Sequence, residues 1–142
     1  MENKYYTPAI EDIRLGYEAE ALLPSTDSWV CDTWTPFVID PLKYSHYTPW
    51  QGDGTHFDDV VNKLSLKQIR TPYLTKEQIE AERWKVTDHV SGIWAECKQF
   101  TLRYEFLTCR LEIVNTDQEH IIYDGYCPSI NEFRQITKLL GI

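Results

Sequence analysis

Glu18 and Glu20 stand two residues apart in a stretch that alternates polar with apolar side chains. On a strand both carboxylates project from one face, with Asp12 and Arg14 in line. Paired hard oxygen donors of this kind suit a divalent cation such as magnesium. A metal held there could assist a hydrolysis or a ligation, with His56 as a further participant. The plainer reading is a solvated strand face whose glutamates pair with Arg14 or with Arg103 on a neighbouring strand. His46 and His56 flank Asp53, and the three would form an acid–base or metal cluster if the loop between them converged. Ordinary surface or half-buried histidines are the favoured reading, because His46, His56, His89 and His120 show neither His-x-x-x-His nor His-Glu-x-x-His spacing. There is no Gly-x-Ser-x-Gly elbow and no glycine-rich phosphate cradle; Gly52-Asp53-Gly54 reads as a turn. No catalytic residue is therefore assigned, no cofactor is expected, and binding is favoured over catalysis.

The densest feature is aromatic. Trp29, Trp34, Phe37, Tyr44, Tyr47, Trp50 and Phe57 follow one another closely, interleaved with Pro36, Pro41 and Pro49. Tyr and Trp give large contact area at low entropic cost and are enriched at recognition surfaces. They also stack on nucleobases. Trp29 and Trp34 fall in extended segments and fit core packing. Tyr44, Tyr47 and Trp50 fall in a loop, where recognition and packing are balanced. The candidate binding set is Tyr44, His46, Tyr47, Trp50, Asp53 and His56. Arg70, Arg103 and Arg110 are added to meet phosphates if the ligand is a small nucleotide.

Composition narrows the partner. Lys and Arg number 14 against 22 Asp and Glu, a formal net charge of −8, which opposes binding to long nucleic acid and to anionic membrane surfaces. With 42% hydrophobic and 13% aromatic residues the chain is not disordered, and 142 residues suit a single domain. No apolar run reaches the roughly eighteen residues of a membrane span. The opening Met1-Glu2-Asn3-Lys4-Tyr5-Tyr6 lacks a signal-peptide pattern, which predicts a cytoplasmic location. Cys31, Cys97, Cys109 and Cys127 are widely spaced without a Cys-x-x-Cys pair, so buried, reduced thiols are expected.

The elements that must position these residues are mostly strands. Glu11 to Leu22 alternates at period two and predicts one strand. Extended segments follow around Ser28 to Trp34 and around Pro36 to Asp40. His56 to Leu64 predicts a short helix capped by Thr55. Leu74 to Val86 predicts a second, with Thr75 and Gln78 forming a capping box. Phe100, Leu102, Tyr104 and Phe106 alternate inward, then Cys109, Leu111 and Ile113. Asn115 to Gln118 makes a hairpin turn, and His120 to Tyr123 returns. Ile130 to Leu140 is the last helix, capped by Ser129 and Glu132 and stopped by Gly141. The expectation is one α+β domain over residues 1–142, a twisted antiparallel sheet with about three short helices, the last at the C-terminus.

Several of these segments resemble a known family. Tyr6-Thr7-Pro8-x-Ile10-Glu11-Asp12 running into Gly16-Tyr17-Glu18-x-Glu20 is similar to the opening of a small-protein family of gut Bacteroidota and their phages and prophages. Ile69-Arg70-x-x-Tyr73-Leu74-x-Lys76-Glu77-x-Ile79-Glu80 resembles its middle signature. Tyr123-x-Gly125, Asn131-Glu132-Phe133 and Leu139-Leu140-Gly141-Ile142 resemble its closing strand and helix. The likeness is thinnest from Ser28 to Phe57, and Ala19 stands where the family would have an aromatic. The family has no assigned function, so the resemblance implies a phage-associated origin and little chemistry. Gly-aromatic-Glu-x-Glu is also similar to the first strand of ATP-dependent amidoligases, whose glutamates hold magnesium, but that fold needs a much longer chain.

The sequence thus predicts a non-catalytic phage or prophage accessory protein in the cytoplasm of the bacterial host. It would bind a host protein or a small signalling nucleotide through the Tyr44 to Phe57 loop and the sheet edge beside it. The alternatives are a small metal-assisted hydrolase or ligase-like enzyme using Glu18 and Glu20, and a minor structural or assembly protein forming a closed homo-oligomer.

Overall fold

The computed structural model of the protein describes residues 4–14, 16–24, 31–38 and 69–142. The chain divides into two compact units, Met1–Pro72 and Tyr73–Ile142, each with its own antiparallel sheet. The α+β class expected from the sequence is thus present, but two sheets stand where one was predicted.

The first unit is built on β1 (Tyr5–Tyr6), β2 (Glu18–Pro24), β3 (Cys31–Val38) and β4 (Ile69–Pro72), in the order β1-β4-β2-β3. Its buried face is made of small and β-branched residues: Ala19 and Ala21 from β2, Ile69 and Thr71 from β4, with Tyr17 laid beside them. The Tyr17 hydroxyl and Thr71 Oγ1 share a buried hydrogen bond of 3.0 Å, which satisfies both polar groups where water is excluded.

The strand predicted from Glu11 is shorter than its alternation suggested. Ile10–Asp12 is a 3-10 turn, and Arg14 Nη1 donates to the Asp12 carbonyl at 3.1 Å. Gly16 then takes φ +80°, a conformation that glycine adopts without a Cβ penalty, before β2 begins. Conversely, the two extended segments expected either side of Thr35 form one strand. Pro36 lies within β3, opposite Glu20, and does not break it. Among the described residues β3 is an edge strand, where a missing N–H is tolerated.

In the second unit β5 (Lys85–Asp88), β6 (Gly92–Cys97), β7 (Phe100–Glu105), β8 (Arg110–Asn115) and β9 (His120–Tyr126) follow one another as a meander. Two helices flank it in sequence, α1 (Lys76–Ala81) and α2 (Ile130–Leu139). Alternation places Ile93, Ala95, Leu102, Tyr104, Leu111 and Ile113 on one buried face. Phe133 of α2 packs there edge-on to Trp84, ring centroids 6.1 Å apart. The Leu74 N–H donates to the Pro128 carbonyl at 2.8 Å, tying the start of the unit to the segment entering α2.

Both N-caps form, but only the first makes the capping box predicted for each helix. Thr75 and Gln78 make the reciprocal capping box of α1. At α2 the Ser129 hydroxyl accepts from the Asn131 N–H at 3.2 Å, while the Glu132 carboxylate bonds that hydroxyl and not the backbone. Past its end, Gly141 at φ +74° donates to the Lys138 carbonyl and Ile142 donates to that of Thr137, a Schellman pair. The helix predicted to reach Val86 stops at Ala81 instead, because Arg83 turns to φ +71° and Lys85 to Asp88 become the first strand of the meander. Among the described residues there are two α-helices; the third, predicted over His56 to Leu64, lies outside them.

Candidate functional site

Tyr44, His46, Tyr47, Trp50, Asp53 and His56 lie outside the described residues. Glu18, Glu20, Arg70, Arg103 and Arg110 are described, and the structure sorts them into two separate clusters.

In the first unit, the register places Tyr5, Arg70, Glu20 and Trp34 on one face of the sheet, one from each strand. The Arg70 guanidinium is sandwiched between the rings of Tyr5 and Trp34, its Cζ 3.7 Å and 4.1 Å from their centroids. Its Nε and Nη2 both donate to Glu20 Oε1, at 2.9 Å and 2.7 Å. A planar, weakly hydrated cation is well matched to such a slot. Arg70 and Glu20 were singled out for opposite tasks, phosphate binding and metal binding, yet here they bind each other. Glu18 is on the same face, opposite Val38. Among the described residues no group of three or more His, Cys, Asp or Glu is placed to hold a metal ion.

This cluster should contribute to stability. With the Arg70 and Glu20 side chains 26% and 17% exposed, Arg70→Ala is expected to cost about 1–3 kcal/mol by stranding a shielded carboxylate and unstacking two rings. Arg70→Lys should recover less than half, since an ammonium cannot fill a planar slot. Urea titration of the full chain measures both. An alanine variant within about 0.5 kcal/mol of the parent would show that the cluster contributes little.

In the second unit, Arg103 and Arg110 share the face of the meander opposite its core. Arg110 donates from Nε and Nη2 to the two carboxylate oxygens of Asp124, each at 2.8 Å. Those hydrogen bonds and the Arg110 charge, with a smaller contribution from Arg103, hold the Asp124 carboxyl below its usual range. Arg103 lies opposite Trp94 and Glu112, with Cζ 6.0 Å from the Trp94 ring. His89 stacks on Trp94 at 5.6 Å. Row by row, this face runs Thr87, Trp94, Arg103, Glu112, Asp124 across the five strands.

One end of the same sheet carries residues that the sequence reading did not select. The turn between β5 and β6 exposes Val90 completely, and the turn between β7 and β8 leaves Leu107 86% exposed. The Phe106 N–H donates to the Ser91 carbonyl at 3.3 Å, so the two turns are joined. Tyr126, opposite Arg110 at the end of β9, is 64% exposed at the same edge. Phe106, read as the last inward residue of a strand, instead lies in the turn, half-exposed and edge-on to Tyr104 at 5.6 Å. The available signal was Phe106-Leu107, two large apolar residues in succession where alternation fails, just before Thr108.

No helix among the described residues is long and apolar enough to cross a membrane. No protein-family model, curated protein or solved structure matches the chain.

Proposed function

We propose that this is a non-catalytic binding protein whose partner is another protein, docked on the turn end of the five-stranded sheet. The observation that carries this reading is the exposure of Val90 and Leu107 on two joined turns, with Tyr126 exposed at the same end of the sheet. Grouped exposed apolar residues mark interaction surfaces, whereas scattered ones do not. Trp94 and Arg103 on the adjoining face are of the residue types that dominate binding energy. The resemblance to phage and prophage proteins makes a protein of the bacterial host the partner class we favour. The aromatic segment Tyr44 to Phe57, outside the described residues, is proposed as a second contact.

The nucleotide version is less well supported. A phosphate approaching Arg70 or Arg110 must displace Glu20 or Asp124, and the charge-assisted bonds it would break match those it would make.

The test is a paired capture from host lysate, full chain against Val90→Ser/Leu107→Ser. Both sites are exposed, so the double variant should melt like the parent, within about 0.5 kcal/mol. It should lose a partner that the parent retains by tenfold or more. Equal capture of the same partner by both proteins would overturn the assignment of this surface. A small ligand retained in the native mass of the parent would overturn the choice of partner.

A further inference from the structure

Behind the exposed turn end lie two buried thiols that flank adjacent strands, Cys109 just before β8 and Cys127 just after β9. Cys109 closes the turn after β7 at φ +54°, and Cys127 directly follows β9. The register that pairs Arg110 with Tyr126 continues one step further, with the Cys127 N–H donating to the Cys109 carbonyl at 2.8 Å. Hydrogen-bonded partners in an antiparallel pair hold their Cα atoms about 5.5 Å apart. That separation is central to the range of about 4.4–6.8 Å that a disulfide spans. Both residues are free thiols, 7% and 0% exposed. Cys109 Sγ donates weakly to the Phe106 carbonyl and Cys127 Sγ to that of Ser129, both at 3.8 Å. The Tyr104 hydroxyl donates to the Cys127 carbonyl at 2.8 Å and also interacts with the Cys109 thiol, so the two cysteines border one shared space.

We propose that Cys109 and Cys127 are a cross-strand thiol pair that closes to a disulfide when the protein meets a peroxide oxidant. Cys109, at the turn, reacts first. Its thiolate attacks one peroxide oxygen, the O–O bond breaks, and the product is a sulfenic acid plus water. Cys127 then attacks that sulfur, the S–O bond breaks, and the leaving hydroxide departs with the remaining thiol proton as a second water. Two electrons pass from the two sulfurs to the peroxide. Burial pushes the Cys127 thiol above its ordinary range and shields it from the oxidant, so its role is confined to the second step, where its proton leaves as the S–S bond forms. The closed bond would link the turn bearing Phe106 and Leu107 to the strand end bearing Tyr126. The pair stands on the backbone hydrogen bond between Cys127 and Cys109 and on their burial, whether or not that end docks a partner.

The full chain is treated with hydrogen peroxide, alkylated, denatured and digested for mass spectrometry. The expected product is a linked peptide containing Cys109 and Cys127, with a whole-chain mass lower by about 2 Da, reversed by dithiothreitol. The link should persist in a Cys31→Ser/Cys97→Ser variant. In Cys109→Ser, Cys127 should remain alkylatable after denaturation. The proposal is overturned if Cys109 and Cys127 both stay alkylatable at a peroxide dose that oxidises a small dithiol completely. It is equally overturned if Cys109 proceeds to sulfinic acid unlinked, or links instead to Cys97 or Cys31. Partner capture by the oxidised and reduced protein is a separate readout, so failure of one proposal leaves the other standing.

Discussion

Gly92→Ala is expected to destabilise the second unit by about 2–4 kcal/mol, a large effect for one methyl group. A Cβ built on Gly92 would fall 1.8 Å from the Tyr104 carbonyl oxygen, 2.9 Å from its carbon and 3.1 Å from the Glu105 Cα. All three atoms are backbone of the neighbouring strand, so no side chain can swing aside. The pairs Gly92↔Glu105 and Ile93↔Tyr104 would have to spread. The strain would reach Ile93 and Tyr104, both almost wholly buried. Gly125→Ala makes the useful contrast. Its added methyl would meet only the far end of the Tyr123 side chain, at 2.9 Å, and that ring can give way by losing its hydrogen bond to the Tyr126 carbonyl. Urea midpoints of the two variants should differ in that order. A Gly92→Ala protein as stable as the parent would show that the strands do not approach this closely.

Phe133→Ala should cost about 3–5 kcal/mol. Phe133 is fully buried, and it is the aromatic residue through which α2 enters the core, edge-on to Trp84. Ile130 is the other buried apolar residue of that helix. Truncation removes most of the apolar anchor and leaves a cavity lined by side chains that the sheet holds in place. The Trp84 environment should loosen with it, read as a fall in near-ultraviolet circular dichroism alongside the shift in unfolding midpoint. Leu139→Ala, on the same helix but 81% exposed, should change stability by less than about 0.5 kcal/mol. A Phe133→Ala loss under about 1 kcal/mol would mean the helix is held by something else.

These two sites show how unevenly the fold was legible. The meander from Phe100 to Tyr123 could be read because period-two alternation, a polar turn at Asn115 and a closing helix with caps at both ends agreed with one another. Gly92 could not be weighed, since a close backbone approach leaves no trace in a single sequence beyond the glycine itself. The false strand at Glu11 arose because Asp12 and Arg14 mimic alternation while forming a 3-10 turn. The helix assigned as far as Val86 overran because nothing local announces that Arg83 turns left-handed. The site was less legible than the fold. Glu20 and Arg70 were each visible, but their union depends on which strands become neighbours, and β4 returns beside β2 from far along the chain. The turn end was missed for a related reason: Val90 and Leu107 sit in two turns and Tyr126 at the end of β9, and only the pairing of the strands brings all three to one end of the sheet.

The strand orders of the two sheets also imply different folding histories. Every pairing in the second unit is between strands consecutive along the chain, so each hairpin can close across a short turn before the next is added. In the first unit Tyr5 must find Pro72 and Glu20 must find Arg70, contacts that require most of that unit to be gathered first. The meander is therefore the part expected to form early, while the sheet that assembles the Arg70 slot completes late. During that interval Tyr5, Trp34 and the unpaired edges of β2 and β4 are open to mispairing with other chains.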